Sequence, residues 1–242
     1  MIPKKIHIAW KHKDFLDAPF HIVQYGARKL KDLNPEWSFE ISDDNDIEIY
    51  LKDNLSSSDY NLLKHRHIVE KTDVWRLLKI INEGGLYMDI DRYCDQSLDN
   101  LITDNISCVL PTFKDIDFSQ DIMLSCPQHE IHKAALSLNL ARRKEGCTDV
   151  LSLAPITYFH AATKVLLGTS INRYPTDDQI KNLRAIIASD NSLMTYKEDP
   201  PWNTFTYRGV PLQDDKSIFY RYSNVIHWPF VPNNITGKPY GE

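Results

Sequence analysis

Val74, Leu77, Leu78 and Ile81 fall at i, i+3, i+4 and i+7, the apolar face of one helix. Gly84-Gly85 closes that helix, because glycine takes the left-handed backbone a C-terminal cap needs. Leu86 to Ile90 is short, apolar and aromatic, and predicts a buried strand. Asp89 and Asp91 flank Ile90 at its end. Residues two apart in a strand point the same way. The pattern therefore predicts two carboxylates facing one point, with Ile90 turned back into the core.

The rest of the chain alternates strand and helix signals. Ile6, Ile8 and Trp10 alternate with His7 and Ala9, which predicts a first strand over Ile2 to Trp10. A helix is expected from Pro19-Phe20 to about Leu33, with proline in its first turn and Asn34-Pro35 as its stop. Trp37 to Ile41 predicts a second strand, ending in the acidic turn Ser42 to Asp46. Residues 45–67 read as helical, broken at Ser56-Ser57-Ser58, and Tyr93 to Asn100 reads as a connector. Ile106 to Leu110 and Ile122 to Ser125 predict strands. Glu130 to Arg143 predicts a helix with Ile131, Ala134, Ala135 and Leu138 on one side. Further helices are expected after Pro155 through Leu167 and over Thr176 to Ala188, the last with Thr176 as N-cap and Asp177 and Asp178 in its first turn. From Leu193 the chain turns irregular and aromatic (Tyr196, Trp202, Phe205, Tyr207, Phe219, Tyr220, Tyr222), which suits sugar stacking and packing alike.

A length of 242 residues fits one domain with a full core, and 42% hydrophobic with 25% charged residues is the balance of a soluble globule. The net charge, 28 − 33 = −5, argues against a nucleic-acid partner, which would want a basic face. Cys94, Cys108, Cys126 and Cys147 are scattered, with no CxxC or Cys/His cluster, so no zinc site is expected and reduced thiols are. The opening MIPKKIHIAW is too short for a signal peptide, and no run approaches the length of a membrane span. A monomer is expected, with peripheral membrane contact left open.

The candidate chemistry lies at Asp89 and Asp91. Two carboxylates facing one spot repel unless a positive charge sits between them. Mg2+ or Mn2+ is the natural occupant, a hard cation with oxygen ligands usually shared with substrate phosphates. Asp73 and Arg76, three apart, share one helical face. Arginine suits a phosphate oxygen or a carboxylate, and Asp73 could accept hydrogen bonds from sugar hydroxyls. A bare Asp-x-Asp is weak in a chain with 33 acidic residues, and Asp115-Ile116-Asp117 repeats it in a polar stretch that reads as a loop. Only the first copy follows a helix, Gly-Gly and an apolar strand.

Asp73, Arg76, Gly84, Gly85, Tyr87, Asp89 and Asp91 form the series Asp-x-x-Arg, then Gly-Gly-x-Tyr-x-Asp-x-Asp. This closely resembles the sugar-binding, Asp-x-Asp-containing region of glycosyltransferase family 32, to which large clostridial glucosylating toxins are distantly similar. Ile2, Pro3, Lys4, Ile6, His7 and Trp10 match the family's opening strand. The resemblance implies a GT-A fold: an α/β, Rossmann-like, mixed and mostly parallel central sheet flanked by helices. It implies one catalytic domain over 1–242, with 1–110 as the nucleotide-sugar half and 111–242 as the acceptor-side half and C-terminal tail. Open α/β sheets bind ligands at the carboxyl ends of their strands, which would put Ala9 and Trp10 by the nucleoside base.

The site residues that follow are Asp89, Asp91 and Arg76 for catalysis. Ala9, Trp10, Asp73, Arg76, Tyr87, Asp89, Ile90 and Trp228 are expected at the nucleotide sugar. Asp91, Asp89 and, from the terminal Asn224-Val225-Ile226-His227-Trp228, His227 are expected at Mn2+ or Mg2+. Asp43 or Asp44 reads as a nucleoside contact or a solvated cap, the basic run Lys64 to His67 as a solvated face or, less simply, a contact with acceptor or diphosphate, and Tyr158 and His160 as acceptor-side candidates or packing. Ala154 departs from the glycine the family has before Pro155. The implied activity is metal-dependent, retaining transfer of a sugar from a nucleotide-diphosphate donor to a glycan hydroxyl, UDP-sugars favoured over GDP-sugars. A metal-dependent phosphohydrolase and a non-catalytic carbohydrate-binding domain are the rival classes. Because Golgi members carry an N-terminal anchor and this chain opens on the first strand, a cytoplasmic enzyme of bacterial or viral type is expected.

Overall fold

A computed structural model of the chain describes residues 1–17, 24–92, 94, 96–113, 117–118, 120–170, 175–197, 206–207 and 210–211. Pro19, Phe20, Asp115, Trp202, Phe205, Phe219, Tyr220, Tyr222 and the whole segment 212–242, with His227 and Trp228, lie outside the described residues.

The elements run β1 (Lys5–Ala9), α1 (Tyr25–Leu33), β2 (Ser38–Ser42), α2 (Asp44–Asn54), α3 (Ser57–Asn61), α4 (Ile68–Glu83), β3 (Gly85–Met88), α5 (Leu98–Leu101), β4 (Cys108–Phe113), β5 (Asp117–Phe118), β6 (Ile122–Ser125), α6 (Glu130–Lys144), α7 (Val150–Leu153), α8 (Pro155–Leu167), α9 (Asp177–Ser189) and β7 (Leu193–Lys197), then a small β8 (Thr206–Tyr207) and β9 (Val210–Pro211) pair. Strands β2-β1-β3-β6-β4-β5 lie side by side, with β7 on β4. β1 pairs in parallel with β2 and β3, β6 is antiparallel to β3 and β4, and β7 is parallel to β4. This is the mixed, helix-flanked α/β sheet that was expected.

Both faces of the sheet are covered. Tyr87, Met123, Cys108 and Leu110 point into a core shared with Val74, Leu77, Leu78 and Ile81 of α4 and Tyr158 of α8. Ile6, Ile8, Leu86, Met88, Val109, Ile122 and Leu124 point the other way, onto Leu30 and Trp37. Double coverage explains why β3 and β6 read as continuous apolar runs. It also explains why His7, on the polar beat of β1, is buried: Nε2 lies 3.0 Å from the Gly84 carbonyl and Nδ1 lies 3.4 Å from Glu40.

Helix ends follow their sequence signals. Asp43 caps α2 in a reciprocal box with Asp46, and Thr176 does the same for α9 with Gln179. Ser56 caps α3, so the serine patch opens a new short helix. Glu70 of α4 and Arg143 of α6 pair at 2.6 Å with both side chains 0% exposed, so neither charge can be removed without stranding the other. One expectation fails. Val150–Leu167 is long and apolar enough, by length and composition, to cross a membrane. Here it is two helices that meet at Ala154, with half of the stretch buried inside the domain.

Gly84 and Gly85 both have positive φ, +65° and +90°. A Cβ on Gly84 would lie 2.7 Å from Pro127 Cδ, and one on Gly85 would sit on the Lys5 carbonyl oxygen. Gly85→Ala is expected to cost about 3 kcal/mol or more from backbone strain and overpacking together, seen as a lowered denaturation midpoint.

Glu40 accepts from Lys79 at 3.1 and 3.2 Å. The bond with His7, opposed by burial and helped by Lys79, holds its carboxyl down at about 2 from an ordinary 4.5. A depressed carboxylate stabilises the fold above its unfolded pKa and loses that contribution as pH falls. Stability is therefore expected to drop between about pH 4.5 and 2. The slope should be shallow, since Glu40 is half exposed, and flatter still in Glu40→Gln on acid titration of the melting temperature.

Candidate functional site

The chain leaves β1 to form β2 on one side of it and returns to form β3 on the other. The carboxyl ends of β1 and β3 thus flank the point where the strand order reverses, where open α/β sheets hold ligands. A cleft of about 500 Å3 opens there. Ala9, Trp10, Asp73, Arg76, Tyr87, Asp89, Ile90 and Asp91 all line it, so the structure brings together every described residue expected at the site. His227 and Trp228 fall outside the described residues.

Arg76 ties the floor of the cleft together. Its guanidinium pairs with Asp73, one turn back on α4. It also donates to Asp89 at 3.1 Å and to the Gln120 carbonyl at 3.3 Å. The group lies over the Tyr87 ring, 5.2 Å from its centroid, and Tyr87 donates its hydroxyl to Asp89. Gln120 completes the frame by donating to Asp73 at 3.2 Å. Arg76 Nε is buried with no hydrogen-bond partner among the described residues, an N–H left over for an acceptor.

The two carboxylates are not held by strand alternation. β3 ends at Met88, and Asp89-Ile90-Asp91 is a turn closed by Arg92 N–H donating to the Asp89 carbonyl at 2.9 Å. The last ladder bond runs from Asp89 N–H to the Asp121 carbonyl at 2.8 Å, just before β6 begins, and the turn follows at once. Ile90 consequently lines the cleft while still packing on the core.

Asp121, ion-paired with Arg92, and Gln120 are site residues that the sequence reading missed. Their signal was the antiparallel pairing of β6 with β3, which sets the start of one against the end of the other. Asp44 reaches the cleft whereas Asp43 is spent on its helix cap. Tyr158 is buried against His132, and His160 meets Arg142 at 2.9 Å; neither lines the cleft. His67 caps α4 through Nδ1.

Asp44, Asp73, Asp89, Asp91 and Asp121 face the cleft against Lys11 and Arg76. Burial pushes the Asp89 carboxyl above its ordinary range; Arg76 pulls it back, and Asp91 and Asp121 push it up again. Burial likewise holds the Tyr87 phenol protonated, as a donor. An all-oxygen donor set short of positive charge fits a hard divalent cation at Asp89 and Asp91. The opposite wall is apolar, made by Ile68, Val69, Val150, Leu151 and Ala154.

The fold is that of GT-A glycosyltransferases. It is similar to the PaToxG glycosyltransferase, with a TM-score of 0.53 over 76% of this chain and 74% of that one at 18% identity. Residues 21–107 match the family described as the glycosyltransferase sugar-binding region containing a DXD motif, and the chain carries that region. Among curated proteins it is similar to inositol phosphoceramide mannosyltransferase 1 of Schizosaccharomyces pombe, 27% identical over 170 residues, 69% of this chain and 53% of that protein. It is also similar to mannosyl phosphorylinositol ceramide synthase SUR1 of Saccharomyces cerevisiae, 27% identical over 136 residues, 56% of this chain and 34% of that protein. The chain thus spans about half or less of these relatives, which come from yeasts and not from bacteria or viruses.

Arg76→Ala would leave Asp73 and Asp89 without their shared counter-charge. It is expected to destabilise the protein by about 3–5 kcal/mol, measured by chemical denaturation, with Arg76→Lys recovering only part because an ammonium cannot span both carboxylates.

Proposed function

We propose that the cleft binds a nucleotide-diphosphate sugar and that the chain transfers the sugar to a hydroxyl of a glycan or glycolipid. The observation that carries this reading is the convergence of Asp73, Arg76, Asp89 and Asp91 on one cleft at the strand-order reversal. In this reading residues 1–110 form the donor side, with Ala9 and Trp10 beside the base, and 111–242 the acceptor side, with His227 and Trp228 completing the diphosphate site. Asp89 and Asp91 would hold Mn2+ or Mg2+, which supplies neutralisation of charge on the departing diphosphate. Arg76 orients Asp89 and opposes the rise of its pKa. Asp73, held by Arg76 and Gln120, orients the sugar hydroxyls. Retention of anomeric configuration is part of the proposal.

The named relatives favour a mannosyl donor carried on GDP, where the Ala9-Trp10 pair had favoured UDP. Their acceptors, as named, are phosphoinositol ceramides. The apolar wall of the cleft suits an acceptor with an aliphatic portion, and Leu151 on it is 44% exposed. A glycolipid acceptor would bring the enzyme to a membrane surface in place of free cytoplasm.

Calorimetric titration of GDP and UDP, with and without Mn2+, tests the reading. Binding of GDP that requires Mn2+ and disappears in Asp91→Asn is expected, with transfer slowed about a hundredfold or more in the same variant. Binding of UDP alone would keep the reaction and change the donor. Failure of both nucleotides to bind with metal present would remove the transferase reading.

A further inference from the structure

Cys108, His129 and His132 are not among the residues that line the cleft. β6 runs antiparallel to β3, so Ser125 at its end pairs with Gly85 at the start of β3, and Cys108 pairs with Ser125. The cluster therefore sits at the opposite end of the strands from Asp89, about 13 Å away along the strand direction at about 3.3 Å per residue.

One ligating atom from each of Cys108, His129 and His132 lies within 4.8 Å of the others. Cys108 Sγ and His132 Nε2 are 4.0 Å apart. Zinc bonds of about 2.3 Å to sulfur and 2.0 Å to nitrogen in a tetrahedron separate such atoms by about 3.5 Å, so this pair needs to close by about half an ångström, and the pairs with His129, within 4.8 Å, by no more than about 1.5 Å. The far nitrogen of His132, Nδ1, lies 3.4 Å from the Tyr158 hydroxyl, the outer hydrogen bond that commonly orients a metal-bound imidazole.

His129 supplies an independent observation. It stands at the N-cap of α6 yet makes no side-chain cap bond. Its Nδ1 is buried with no hydrogen-bond partner among the described residues, a desolvated donor or acceptor that folding should not leave idle.

We infer that Cys108, His129 and His132 form a binding site for zinc or a similar thiophilic divalent cation, which pins the start of β4 and the link between β6 and α6. On binding, the Cys108 S–H proton leaves to water as the sulfur–metal bond forms, and each imidazole gives a lone pair without losing a proton. The donor set is borderline-soft nitrogen and sulfur, unlike the oxygen set of the cleft, so the site does not depend on the proposed transferase reading.

Cobalt reports the difference. The full chain, stripped with a chelator and titrated with Co2+, is expected to bind one equivalent with thiolate-to-cobalt charge-transfer absorption and intense tetrahedral d–d bands, both displaced by Zn2+. Zn2+ should also raise the melting temperature. Cys108→Ser should abolish the charge-transfer band. Because Cys108 lies in the core, His129→Gln on a half-buried side chain is the second variant, folded by circular dichroism and at least about tenfold weaker for Co2+. Asp91→Asn should leave the band intact, since an oxygen site gives none. Absence of a charge-transfer band in folded wild-type protein, or unchanged affinity in His129→Gln, would overturn the inference.

Discussion

The buried guanidinium of Arg76 is the constraint on which the rest of the cleft depends. A charge this enclosed is tolerable only when paired, and Arg76 finds its partners on three separate elements. Asp73 comes from its own helix, Asp89 from the end of β3 and the Gln120 carbonyl from the approach to β6. Burial by itself would lower the pKa of Arg76, and the surrounding Tyr87, Asp89, Asp121 and Asp91 raise it beyond that effect. The cation therefore stays charged and its carboxylates stay fixed. α4 must lie against the sheet for this to happen, and Gly84 and Gly85 allow it by letting the chain reverse tightly between Pro127, Pro3 and the Lys5 carbonyl.

Much of this was legible because it is local. The α4 face, the Gly-Gly reversal, the apolar β3 and the spacing of Asp73 and Arg76 each follow from neighbours within one or two turns. The exact end of β3 was not legible. Asp89 makes the last ladder bond, to Asp121 32 positions later, and the chain then turns through Arg92 N–H and the Asp89 carbonyl. Gln120 and Asp121 were invisible as site residues for the same reason. Nothing near them in sequence indicates that β6 runs against β3, and only that direction sets them beside Arg76. The His7 burial belongs with these: alternation along β1 marks a strand but does not show that helices cover both faces of its sheet.

The same long-range pairing separates two kinds of chemistry. Antiparallel β6 carries Asp121 at one end to the oxygen-lined cleft and Ser125 at the other to Cys108. In sequence Cys108 stands 21 residues from His129, too far for a recognisable ligand spacing. Yet Cys126, His129 and His132 follow one another at intervals of three, so that β4 need only pair with β6 to bring the thiol of Cys108 to the imidazoles.

Separation also removes competition between the sites. A hard cation shared with phosphates needs a site that opens to solvent, exchanges ligands and tolerates carboxylates such as Asp89 at partial exposure. A thiophilic ion gains most from enclosure, where Cys108 and His132 are fully buried and the competing proton is the only other occupant of the thiolate. Putting the proposed exchangeable site at the carboxyl ends of β1 and β3, and the enclosed one at their amino ends, lets the second stiffen the sheet without lending charge to the first. The strand between them is four buried residues, Gly85–Met88, with Tyr87 alone reaching from the core to the carboxylates. Any rigidity gained at Cys108 would reach Asp89 through that strand and its ladder with β6, by fixing position and not by altering the electrostatics of the cleft.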